Sequence, residues 1–404
     1  MANALITPSI IANEALMILE NNLVFSKNVH RGYDKEFRKV GSTISIRKPV
    51  NLSVRSGKTA QVQDVEEASI SVAMDQQKGF EFQFSTADLT LTIEEFSKRY
   101  LEQPMITLAN TIDTDGLAQF KKIYNAAGTP GTVMDSMAEF NVGPKLMDKL
   151  GMPTAGRIAL LGPEAYYGML NGQSAMYVNS IASKATERGE LGMLTGMKAF
   201  MTQNAPVHTV GDYAGTPLVR GASQSVTYAA SKTAWTQALA TDGWTGSKVL
   251  REGDLFTISG VYSVNPVSKA STGALQTFVV RAAVTTASSS SNETSLTVSP
   301  PIITSGPYQT VTAAPADDAP ITYIGTANTN YTQNLFYHPN AFTLVSSPLI
   351  KPEGTVCEQK TSDQGLSVRL IKQYDLVNDE QVYRLDTLYG WQTIDPRLAA
   401  RVTD

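Results

Sequence analysis

Residues 79–85 read GFEFQFS, and residues 104–123 read PMITLANTIDTDGLAQFKKI. In the first stretch Phe80, Phe82 and Phe84 alternate with Glu81, Gln83 and Ser85 behind Gly79, the period of a strand with one buried face. In the second, Met105, Leu108, Ile112, Leu117, Phe120 and Ile123 keep a helical period behind Pro104. That predicts a long helix, a rod of roughly 30 Å for about 20 residues. A strongly patterned strand followed by a long helix sets the fold class as α+β.

Upstream, Ile44 and Ile46 alternate with Ser45 and Arg47 until Pro49 stops the run, which predicts another half-buried strand. The mostly polar stretch 51–78 is too long for a connection inside a compact domain, so an extended β-arm is the better reading. Weak alternations around Val62 and around Ile70 and Val72 are its candidate strands. Nearer the start, Thr7 and Pro8 suit a helix N-terminus. Ile11, Ala15, Ile18 and Leu19 then share one face of a short amphipathic helix, which could pack on its own domain or on a neighbouring subunit.

Downstream, an amphipathic helix is expected over 145–150 and a strand over the apolar run 158–161. Gly162, Pro163 and Glu164 then open a further helix, and a strand follows over 197–202. Composition changes over 207–326, where 34 of 120 residues are Ser or Thr and only 13 are charged. Strands over 254–264 and 276–284, rich in β-branched and aromatic residues, mark this stretch as a separate all-β unit inserted into the mixed fold. Residues 288–291 read as a loop tip. Strand-like runs return over 366–371 and 381–388.

At 404 residues two or three compact units are expected, and 42% hydrophobic residues exclude disorder of the whole chain. With 33 Lys and Arg against 37 acidic residues, the chain has no global positive surplus for nucleic acid. The single Cys357 cannot form an internal disulfide and fits a reducing compartment. Lys27 is the first lysine, and Glu14 and Glu20 interrupt the early apolar stretch, so no secretion signal is indicated. No run of about 18 apolar residues suggests a membrane span.

Catalytic patterns fail one by one. His30, His208 and His338 are scattered without zinc-ligand spacing and read as surface or interface residues. There is no G-x-S-x-G, and Cys357 has no recognisable nucleophile context. Gly243 to Lys248 misses the phosphate-loop spacing. Asp113, Thr114, Asp115 and Gly116 resemble half a calcium loop but read as a solvated helix face. The chain is not expected to be an enzyme, and no metal or cofactor is expected.

Local charge is more informative. Between residues 26 and 58 lie Lys27, Arg31, Lys35, Arg38, Lys39, Arg47, Lys48, Arg55 and Lys58, against only Asp34 and Glu36. This basic segment could meet an acidic surface of another subunit or packaged DNA. Asp64, Glu66 and Glu67 offer a complementary patch. Gly189, Gly192 and Gly196 form a spaced trio suited to a turn-rich or close-packed loop.

In this order, the segments GSTISIRKP (41–49), RGELGMLTGM (188–197), GDLFTISGVYSVNP (253–266), NLFYHPNAFTL (334–344) and RLDTLYGW (384–391) are informative together. The chain resembles the major capsid proteins of tailed double-stranded-DNA bacteriophages, of the short-tailed coat type with an inserted β-domain. The resemblance covers nearly the whole chain. It implies an N-terminal arm (1–40), an extended β-hairpin loop (41–90), a peripheral domain with a spine helix (91–127, helix 104–125), and an axial domain (128–206). An inserted β-domain (207–326) and a return segment to the axial and peripheral domains (327–404) complete it. Hexamers and pentamers of one chain would form an icosahedral shell around phage DNA through a scaffold-guided precursor that expands on packaging. Its partners would be copies of itself, a scaffolding protein, a portal protein and non-specifically held DNA, with no membrane. Assembly would take place in the host bacterial cytoplasm, with the protein ending in the virion capsid. On this plan Arg47, Lys48, Arg55, Lys58, Asp64, Glu66, Glu67, Gly189, Gly192 and Gly196 are candidate inter-subunit contacts. The alternatives are an encapsulin-like nanocompartment shell and a monomeric carbohydrate or host-surface binding module, in which Trp235 and Trp244 would be stacking platforms.

Overall fold

The computed structural model describes residues 8–32, 43–48, 50–52, 54, 57–60, 62, 65–85, 101–174, 191–362 and 365–404. It divides into two compact units. One comprises Met1–Ser45, Ser71–Leu117 and Phe342–Gln392, the other Ile46–Ile70, Ala118–Ala341 and Thr393–Asp404. The strands Thr43–Arg47 and Ser69–Ala73, which pair as a two-stranded ribbon, span the division. Ile44 and Ile46 are buried while Thr43, Ser45 and Arg47 are exposed, as their alternation predicts. Ile70 and Val72 lie on the partner strand, whereas Val62 lies outside any strand.

The first unit is built on a sheet in the order Phe342–Ser346, Glu380–Thr393, Ser367–Asp375, Val356–Thr361, with Gln76–Ser85 also paired to Glu380–Thr393. Phe80 faces Leu385 and Phe82 faces Tyr383 across that pairing, and the Phe82 and Tyr383 rings stack at 5.2 Å. Cross-strand aromatic pairs of this kind fix register, because a slip of one residue would turn every phenylalanine to the other face. The helix Pro8–Asn22 buries Ile11, Ala12, Ala15, Leu16 and Leu19. It packs on the helix Glu102–Leu117 and on the strands Val356–Thr361 and Ser367–Asp375. The choice left open by sequence is thus met within its own unit.

The long helix begins at Glu102 and is α-helical to Leu117, after which the backbone tightens into a 3-10 helix over Ala118–Lys122. Tightening of a final turn is usual where unpaired carbonyls must be satisfied. Its buried residues Met105, Leu108, Ala109, Ile112, Asp113 and Gly116 follow one stripe. Two of them overturn the expectation of a solvated face over 113–116. The Asp113 carboxylate is buried and accepts hydrogen bonds from the amides of Val24 (2.7 Å), Phe25 (3.1 Å) and Ser26 (3.0 Å) and from the Ser26 hydroxyl. Gly116 lies under the Trp391 ring, where an added Cβ would approach Cζ2 to 2.5 Å. Trp391 in turn donates to the Ile112 carbonyl and stacks on Phe25 at 5.1 Å. Asp115 accepts from Lys78 Nζ and from the Tyr389 hydroxyl.

The second unit contains a sheet in the order Ala126–Ala127, Ala399–Thr403, Asn330–Tyr337, Ile158–Leu161, Met197–Met201, Met193–Leu194, with Val207–Thr209 also paired to Asn330–Tyr337. Ile158–Leu161 is buried at every position and runs parallel to Met197–Met201, the pattern that a continuous apolar run specifies. The helices Val142–Lys149 and Pro163–Ser174 contribute to a methionine-rich core with Met134, Met147, Met152, Met169 and Met197.

The Ser/Thr-rich stretch forms a barrel of six strands in the order Ile321–Tyr323, Leu255–Val264, Ser271–Val280, Thr294–Ser299, Gln237–Trp244, Gly215–Val219. Its two ends meet where the Val219 amide donates to Ala319 and the Asp318 amide donates to Val219. Closure removes the free strand edges that would otherwise invite non-specific pairing. Inside lie Trp244, Phe256, Phe278, Leu239, Ile258 and Val298. At the barrel's entry, His208 Nε2 is 2.8 Å from Asp254 Oδ1, and both residues are buried. This corrects the surface reading of that histidine: it is buried on the strand paired with Asn330–Tyr337, and its ring satisfies a buried carboxylate. Arg401, fully buried beside them, donates to the Gly253 carbonyl. Burial pulls its guanidinium down to about 9, against the opposing pull of Asp254.

Candidate assembly surfaces

The basic and acidic residues singled out around the ribbon separate by role. Arg47 pairs with Glu67 at 3.3 Å on the exposed ribbon itself. Glu66 lies 3.8 Å from Lys232 of the barrel domain. Lys48 is turned inward, with its Nζ 6.0 Å over the Trp235 ring, and Lys58 is exposed. Arg55, Asp64 and Gly189 lie outside the described residues, as do Lys35, Arg38 and Lys39. Ion pairs as exposed as Arg47 with Glu67 contribute only about 0–1 kcal/mol each.

Of the glycine trio, Gly192 and Gly196 have positive φ, +66° and +80°, with open space where a side chain would be. Thr195 (φ 45°) and Gly196 form the two-residue turn joining Met193–Leu194 to Met197–Met201, with Leu194 facing Met197. Two successive positive φ angles define the turn whose twist matches a tight hairpin.

Sequence alone did not expose the apolar surfaces. On the segment after Arg47, Val54 and Val62 are 97% and 95% exposed, with Leu52 and Val65 also outside. In the other unit, Leu376 and Val377 sit 85% and 90% exposed on the turn between Ser367–Asp375 and Glu380–Thr393. They escaped notice because a short apolar pair inside a turn carries no periodicity. Beside that turn an open groove of about 580 Å³ is lined by Glu81, Ile371, Gln373, Val382 and Arg384. Along the strands runs a charge ladder in which Arg369 bonds Asp386 at 2.7 Å, Arg384 bonds Asp386 at 2.8 Å, and Arg384 meets Glu81 at 3.1 Å.

Among the described residues, no group of three or more His, Cys, Asp or Glu side chains converges as metal ligands. No described helix is long and apolar enough to cross a membrane. Trp244 is buried in the barrel core and Trp235 is nearly so, which leaves neither ring presented as an open stacking platform.

A family model described as P22 coat protein, gene protein 5, matches residues 2–401. Among solved structures, a chain of Mycobacterium phage Che8 is 12% identical, with 94% of this chain and 90% of that one covered and a TM-score of 0.49. The capsid of Ralstonia phage GP4 is 8% identical, covering 90% and 84% with a TM-score of 0.45. The CUS-3 coat protein I-domain is 28% identical over 28% of this chain and 98% of its own length, with a TM-score of 0.21. No curated protein sequence matches the chain. The family match across the α+β fold defines a structural protein of a phage capsid, a major capsid subunit that assembles with copies of itself into the virion shell. The chain belongs to the P22 coat protein family.

Proposed function

We propose that copies of this chain close as hexamers and pentamers into an icosahedral shell around double-stranded DNA, guided by a scaffolding protein into a precursor that expands on packaging. Assembly takes place in the host bacterial cytoplasm, around a portal protein at one vertex, and the DNA is held without sequence preference. In this reading residues 1–40 are the arm, 41–90 the extended loop, 91–127 the peripheral domain with its spine helix, and 128–206 the axial domain. Residues 207–326 are the inserted domain, and 327–404 return to the axial and peripheral domains. Arg55, Lys58 and Asp64 are proposed contacts between subunits, and Gly189, Gly192 and Gly196 a contact near a capsomer axis.

The observation that carries the assembly reading is the exposure of Leu52, Val54, Val62 and Val65 on one segment. Fully burying a side chain of this kind contributes about 1.5–3 kcal/mol, so four repeated at every subunit contact stabilise a shell strongly. Val54→Asp combined with Val62→Asp is expected to leave the thermal unfolding of the free subunit within about 2 °C, since neither side chain supports the fold. The same pair is expected to reduce the yield of sedimenting shells, co-expressed with scaffold, at least tenfold. Normal shell yield would remove these residues from the interface. Residues 207–326 expressed alone are expected to give a dispersed amide NMR spectrum, because the barrel has its own closed core; a collapsed spectrum would overturn that domain boundary.

A further inference from the structure

The ribbon segment Ile46–Ile70 clusters with the barrel-containing unit, and contacts of Lys48 and Asn51 meet it at one recess. Trp235 forms the recess wall. It holds a left-handed backbone, φ 55°, unusual for a bulky residue and persistent only where the surroundings enforce it. Here the Trp235 amide donates to the Ser231 carbonyl, and the Ser299 hydroxyl donates to the Trp235 carbonyl. That backbone sets the indole ring beside Tyr228, whose own ring stacks on Tyr308. Two cations lie over the indole: Lys48 Nζ at 6.0 Å and the Arg397 guanidinium carbon at 5.8 Å. Asp395 binds Arg397 through two parallel contacts of 2.9 Å and 2.8 Å and attracts the Lys48 ammonium as well.

Two further contacts hold the same segment. The Asn51 amide donates to the Tyr308 hydroxyl at 2.9 Å, and Glu66, near the return of the ribbon, lies 3.8 Å from Lys232. The Lys48 amide donates to the Ala68 carbonyl, so the two sides of the ribbon are joined where the seat grips it. Burial lowers the Lys48 ammonium and the nearby Arg397 guanidinium lowers it too, while Asp395 and the indole face oppose both. Lys48 is therefore spent inside its own chain, unlike the exposed Lys58.

We infer that the recess formed by Trp235, Tyr228 and Tyr308 with Asp395 and Arg397 is an intramolecular seat for Lys48, through which the barrel fixes the base of its own chain's ribbon. Resting on the assembly reading above, the seat sets the direction in which Leu52, Val54, Val62 and Val65 meet a neighbouring copy. An ammonium over an indole fits this geometry, and a carboxylate at the same position would face both the π electrons and Asp395, with the Arg397 guanidinium already engaged by Asp395.

Hydrogen exchange on the free, full-length subunit tests the seat independently of shell formation. Lys48→Glu is expected to speed exchange of amides in 46–52 and 66–70 at least tenfold while barrel amides such as Leu239 and Val298 stay protected. Tyr308→Phe keeps the stack on Tyr228 and removes only the hydroxyl, so the Asn51 amide alone is expected to lose at least tenfold protection. An Asn51 amide that exchanges at its intrinsic rate in the unaltered chain, or is unchanged by Tyr308→Phe, would overturn the seat. Failure of the assembly reading shows separately, as the absence of shells when the unaltered chain is co-expressed with scaffold, and normal shell yield from the Val54 and Val62 substitutions removes only those residues from the interface.

Discussion

Asp113→Ala is expected to destabilise the folded subunit by about 3–5 kcal/mol, since it leaves several buried donors without their acceptor at roughly 1–3 kcal/mol each. One carboxylate accepts from three consecutive amides, Val24, Phe25 and Ser26, and from the Ser26 hydroxyl. Alanine leaves those donors without their acceptor beneath the Phe25 ring, itself packed between Trp391 and Phe342. Asp113→Asn keeps the shape but turns an amide NH2 toward donors, and about half the loss is expected. Urea denaturation of the unassembled subunit, followed by circular dichroism, measures both. A change below about 0.5 kcal/mol for the alanine variant would mean that the turn at 24–26 is not anchored by this carboxylate.

Trp244→Ala is expected to cost the barrel about 3–5 kcal/mol, the usual penalty for truncating a fully buried aromatic to a methyl group. The ring meets Tyr323 edge-on at 5.7 Å, and its Nε1 donates to Thr241 Oγ1 at 2.8 Å. Trp244→Phe retains most of the apolar contact and loses the hydrogen bond, so a cost of about 1–2 kcal/mol is expected. The denaturant midpoint of the barrel transition reports both. Equal midpoints for the alanine variant and the unaltered protein would show that Trp244 is not part of a cooperative core.

Asp113 marks where the local patterns of the sequence stop being informative, and other segments mark where they suffice. Ile158 to Leu161 were legible as a buried strand, and the alternating Phe80, Phe82 and Phe84 as a one-faced strand, because each sits in a local pattern that matches its element. The barrel was legible as a composition change with strands inside it. Its closure was not, since the pairing of Val219 with Ala319 joins positions a hundred residues apart. Asp113 was misread for the same reason. Two aspartates near a glycine on a helix look solvated until a distant turn supplies three amides. His208 was misread because its acceptor, Asp254, lies 46 residues further along the chain, beyond the reach of any local pattern. Among the candidate contact residues, the sequence identified the charges on the ribbon but gave no sign that Lys48 would turn inward. That depends on Trp235 adopting a left-handed backbone, which nothing in its neighbours' sequence pattern announces.

The most direct test of the central claim is negative-stain electron microscopy of the full-length protein co-expressed with its scaffolding protein. The proposed role predicts closed icosahedral particles of uniform diameter. A protein that stays monomeric with scaffold present, at every concentration and salt tested, would contradict it.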